Sequence, residues 1–123
     1  MAHPVPRTRK ARAPLPVVDL AQARDARRLR ELQARCRAVD EVNRKSLVRL
    51  FQSGLVYTRQ GARLGRDLLL AHQHLLRVSD LLVRIAECAA GDEAAALYEE
   101  AQALLARTAE LTARSGLVLA RGQ

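Results

Sequence analysis

His72 and His74 are the residues of this sequence best suited to chemistry, and their spacing works against it. Helical positions two apart point about 200° from one another, and the position four beyond each is Leu76 or Val78 rather than a second ligand. A histidine packed against a neighbouring helix is the plainer reading. Cys36 and Cys88 are isolated thiols without CxxC spacing and read as free, small hydrophobes in a reducing compartment. Spacing favours no Ser/His/Asp or Cys/His grouping, and no glycine-rich phosphate loop follows a strand, because no strand is expected. The expectation is a non-enzyme with no catalytic residue, metal, cofactor or small-molecule substrate.

Arginine is the other residue type with chemical reach, supplying 19 of the 21 basic residues. Together with abundant alanine this is a composition that GC-rich bacterial coding produces. The net charge of +8 divides into +11 over residues 1–66 and −3 over residues 67–123. Candidate anion-binding residues are Arg7, Arg9, Lys10 and Arg12 in the N-terminal stretch and Arg59, Arg63 and Arg66 further on. Pro4, Pro6, Pro14 and Pro16 exclude regular helix from that stretch, so residues 1–17 read as a disordered basic tail. An arginine strip that tracks phosphates would make nucleic acid a partner. Asp80 and Glu87 interrupt the strip, and no aromatic pair for base stacking accompanies it.

The elements that carry these residues are helices. The apolar fraction of 49% is mostly Leu and Ala, β-branched residues never alternate over a useful run, and Phe51, Tyr57 and Tyr98 are the only aromatics. An all-α fold with coiled-coil character follows. Leu47, Gly54, Gly61, Leu68, Leu75 and Leu82 fall seven apart, and Leu50, Tyr57, Leu64, Ala71, Val78 and Ile85 follow each by three, which is an a/d seam. Upstream, Asp19 is a candidate N-cap, and Leu29, Leu32, Cys36 and Val39 form a 3-4-3 pattern joined to Leu47 and Leu50 by eleven-residue steps. Acid-first pairs at Glu31 and Arg35, Asp40 and Arg44, and Glu41 and Lys45 support that helix.

Continuity through Ser53 and Gly54 decides the architecture. Gly54, Gly61 and Gly65 each cost about 1 kcal/mol in a helix interior, favouring a break. The unbroken heptad phase favours a continuous or kinked helix, and that is the preferred reading, with an up-down-up three-helix bundle as the rival. Residues 18–123 form one helical domain, with helices over about 19–90, continuous or broken near 53–54, and over 92–115, the stop and start signalled by Gly91 and Asp92. Leu69, Leu76 and Val83 widen the apolar face and are expected to be buried. The likeness between residues 53–59 and 115–121 reads as coincidence in a Leu/Ala/Arg-rich chain.

Function is then expected to lie in interaction. The leading expectation is a helical adaptor that self-associates or docks on a partner protein helix through Leu47, Leu50, Gly54, Tyr57, Gly61 and Leu64, which a C-terminal helix ending near 115 would leave uncovered. The alternatives are a basic nucleic-acid-associated protein using the tail and first helix, and an export chaperone whose face around Leu69, Leu76 and Val83 holds a client helix. No stretch exceeds nine uncharged residues, so no transmembrane segment is expected and the location reads as cytoplasmic.

Overall fold

The computed structural model describes residues 17–88 and 91–121. Three helices are present among the described residues, α1 (Val17–Gln52), α2 (Arg59–Glu87) and α3 (Asp92–Arg121), with a 3₁₀ turn at Leu55–Tyr57 between the first two. Among the described residues there is no strand. The chain is therefore the three-helix, up-down-up bundle, and the preferred reading of a helix continuous through Gly54 is corrected. Arg7, Arg9, Lys10 and Arg12 lie outside the described residues. Helix α1 begins by Val17, so Asp19 lies inside its first turn rather than at its cap.

The break is built by four residues. Gly54 takes φ +78°, the left-handed conformation in which a side chain is strained. Ser53 Oγ donates to the Leu50 carbonyl and accepts from the Leu55 amide, closing the end of α1. Thr58 is the N-cap of α2: its Oγ1 accepts from the Gly61 amide at 2.9 Å and donates to the Leu55 carbonyl at 2.7 Å. Gly61 is required because a Cβ there would overlap the Leu55 carbonyl carbon and oxygen. The glycine is a contact with the chain's own turn, and it offers no space for a partner helix.

On α2 the 3-4 spacing read from Gly61 onwards is the buried one: Gly61, Leu64, Leu68, Ala71, Leu75, Val78, Leu82 and Ile85 all face inward, joined by Gly65 and Leu81. On α1 the buried residues are Leu32, Cys36, Asn43, Ser46 and Leu50, with Leu29 and Val39 packed against them. These fall in unbroken 3-4 steps. No phase slip exists: the missing seam members are the polar Asn43 and Ser46. Helix α3 continues the pattern through Ala94, Tyr98, Ala101, Leu105, Thr108, Thr112, Ser115 and Leu119.

Helix α3 passes the expected end near 115 because Leu119 is buried against Leu50, Leu64 and Leu68. Burying a leucine contributes about 2 kcal/mol, more than the roughly 1 kcal/mol lost to Gly116 inside the helix. The sequence Ser-Gly-Leu-Val thus turns at residues 53–56 and stays helical at 115–118. Tertiary contacts decide between the two.

Two apolar clusters fill the bundle, a large one around Leu32, Leu81, Tyr98 and Leu105 and a small one of Leu50, Leu64, Leu68 and Leu119. A buried polar layer lies between them. Asn43 Nδ2 donates to the Leu68 carbonyl at 3.0 Å, and Thr112 Oγ1 donates to Asn43 Oδ1 at 3.2 Å, tying α1 to both other helices. At the other end the Tyr98 hydroxyl donates to the Asp25 carbonyl at 2.9 Å, with the Arg28 guanidinium 4.4 Å from its ring centre. On the surface, two of the three expected intrahelical pairs close, Asp40 with Arg44 and Glu41 with Lys45. Glu100 reaches Arg77 across α2 and α3 at 3.0 Å.

Candidate functional site

The six seam residues do not make an open surface. Leu50 and Leu64 are buried in the small apolar cluster, Leu47 packs half-buried against it, and Gly61 is closed by Leu55. Gly54 sits in the turn, while Tyr57 is 90% exposed on the 3₁₀ turn. The reason is the break itself. Once α1 ends at Gln52, α2 folds back along it and α3 extends far enough to cover both.

Val48, Phe51 and Tyr57 are exposed in this stretch, and a longer apolar column is exposed on α2. Leu69, Leu76 and Val83, expected to be buried, are 52%, 58% and 57% exposed. The face of α2 widens instead toward Gly65 and Leu81. With His72 and Ser79, the three form a stripe in 3-4 steps, without a charge, beside the buried seam.

Four of the five, His72, Leu76, Ser79 and Val83, form one wall of a groove of about 420 Å³ between α1 and α2, and Leu69 continues the stripe beyond it beside Arg66 and Leu70. Leu75 and Leu82 reach its floor from the core, together with Cys36. The opposite wall is polar: Gln33, Arg37, Asp40 and Arg44. Asp40 and Arg44 are joined at 2.7 Å. Arg37 has no ion-pair partner among the described residues.

No family model, curated protein or solved structure matches the chain.

Among the described residues no group of three or more His, Cys, Asp and Glu is placed to hold a metal ion. His72 lines the α1/α2 groove, whereas His74 lies on the α3 side of α2, as the two-residue spacing requires. Arg59, Arg63 and Arg66 are exposed over the first turns of α2, where no acidic residue balances the helix dipole. No helix of the described chain is long and apolar enough to cross a membrane.

Cys36 is buried, with its sulfur 3.9 Å from Ser79 Oγ, and Cys88 is half-buried at the end of α2. Burial pushes the Cys36 thiol above its ordinary value of 9.0, against a weaker lowering by Ser79. A thiol-reactive probe at neutral pH is expected to label Cys88 about tenfold faster than Cys36. A raised folded-state pKa also fixes the sign of the pH effect. The stability Cys36 contributes is complete below 9.0, the unfolded value, and is lost as pH rises through the folded one. The stability difference between the native chain and Cys36→Ala should accordingly shrink in urea melts above that pH. An unchanged difference would count against a desolvated thiol.

Proposed function

We propose that this chain is a non-enzymatic interaction module that accepts a partner helix in the groove between α1 and α2. One observation carries the reading: α2 bears a second uncharged stripe, Leu69, His72, Leu76, Ser79 and Val83, in the same 3-4 steps as its buried seam. A helix has such a stripe where another helix lies against it, and none of the described residues covers this one. Exposed apolar residues scattered singly need no explanation, whereas Leu76 and Val83 on the groove wall, continued at the same spacing by Leu69, form a docking surface.

Leu69 to Val83 spans about 21 Å of helix, a short contact that suits reversible rather than permanent association. Holding a client or partner helix here is favoured over self-association through the 47–64 seam, whose Leu50, Gly61 and Leu64 are spent on the core. The test is a titration with amphipathic helical peptides carrying leucine at a and d. The native chain should bind them, and Leu69→Ser/Leu76→Ser/Val83→Ser should lose about a hundredfold in affinity while keeping its helical circular dichroism. Equal binding by the two would refute the groove.

A second reading, association with nucleic acid, is favoured by Arg59, Arg63 and Arg66, which are exposed and form no ion pair among the described residues. Its mark would be duplex affinity that falls steeply with salt and weakens when these three become alanine.

A further inference from the structure

Resting on the docking reading above, we infer that the helix taken up by the α1/α2 groove carries an acidic flank, its apolar anchors on Leu69, Leu76 and Val83 and its carboxylates on the arginines of α1. Arg30, Arg37 and Arg44 are exposed, fall seven apart and so lie along one line of α1. Arg37 and Arg44 stand on the groove wall that faces Leu76 and Val83. Asp40 is the one acid on that wall, and Arg44 already engages it. One side of the groove is thus apolar and the other holds uncompensated positive charge. A helix lying between them meets leucines on one face and guanidinium groups along the adjacent edge.

The same register weighs against a second copy as the occupant. An antiparallel two-fold pairing of the α1/α2 faces centred on Arg37 sets Arg37 against its own copy and Arg30 against Arg44. A parallel one sets the arginine line against the leucine line. Either leaves Arg37, the groove arginine that no acid engages, without a carboxylate, at a cost that like-charge contact only raises. A nucleic acid would place phosphates beside Leu76 and Val83, with no Phe, Tyr or Trp on the groove walls to stack a base. A concave groove between two helices also fits a cylinder better than a lipid surface.

The experiment compares two fluorescein-labelled three-heptad peptides, identical in their leucines and differing only in whether glutamate or lysine flanks them. The glutamate peptide should bind the native chain about tenfold more tightly, as expected for two or three partly exposed ion pairs. The preference should collapse near 0.5 M salt, where screening acts within about 4 Å. Arg37→Glu/Arg44→Glu, with its melting curve checked, should reverse the preference. Equal binding of both peptides, lost in the triple serine variant, would overturn the acidic flank and leave the groove standing. Failure of both peptides to bind would overturn the groove as well. A dimer by light scattering that Leu76→Ser dissociates would make a second copy the occupant and overturn the proposal.

Discussion

Gly61→Ala is expected to destabilise the bundle by about 3 kcal/mol, the upper range for forcing a methyl group into a closed site. The added Cβ would overlap backbone, the Leu55 carbonyl, which cannot swing aside as a side chain does. Yielding would pull the Thr58 hydroxyl from that carbonyl and disturb the cap it forms on the Gly61 amide. Gly65→Ala is the matched control. Its Cβ would sit 3.5 Å from Leu50 Cδ2, an ordinary contact, and removing a glycine from a helix interior should stabilise by about 0.5 to 1 kcal/mol. Urea melts of the two variants check both signs. A tolerated alanine at 61 would mean that the turn over α2 is not packed as described.

Asn43→Ala carries the second large effect, a loss of about 2 kcal/mol. The substitution removes the donor to the Leu68 carbonyl and strips the Thr112 hydroxyl of its acceptor in a site without access to water. Asn43→Leu should come much closer to native stability, because the polar group goes rather than its partners being broken in place. Its expected cost is uniqueness. Without the amide linking α1 to α2 and α3, one heptad step resembles the next, and side-chain NMR signals should broaden. Sharp spectra from the leucine variant would show that apolar packing alone sets the register.

Much of α2 is legible in the sequence, because eight inward positions from Gly61 to Ile85 are apolar or glycine and keep one phase. The same habit of counting apolar residues misplaces α1. Asn43 and Ser46 are seam members disguised by polarity, so the pattern seemed to jump by eleven where it keeps step. The heptad count across the break rested on Gly54 and Tyr57, one in a left-handed turn and the other almost fully exposed, so that stretch of rhythm was accidental. Glycine energetics carried the truer signal there. A cap at Thr58 followed three residues later by a glycine was the local cue.

The groove was half legible. Leu69, Leu76 and Val83 stood out as a column, but a sequence does not say which of two flanks a neighbouring helix will cover. Helices α1 and α3 settle against Gly65 and Leu81 and leave that column outside. The arginine line of α1 becomes visible only once the true phase of α1 is known, since the phase slip had hidden that Arg37 and Arg44 face α2.

The polar layer at Asn43 also partitions how the molecule comes apart. Beyond it, among the described residues, the apolar cluster has four buried members, Leu50, Leu64, Leu68 and Leu119, with partly buried neighbours such as Leu47, whereas the cluster on the other side has eleven. The end bearing the Gly54 turn and the last helical turns of α3 is thus the less cooperative unit, able to open as a subglobal fluctuation while the rest stays folded. The groove, lined from Gln33 to Arg44 and from His72 to Val83, lies on the other side of that layer, so a guest seated in it can stay bound while this end opens.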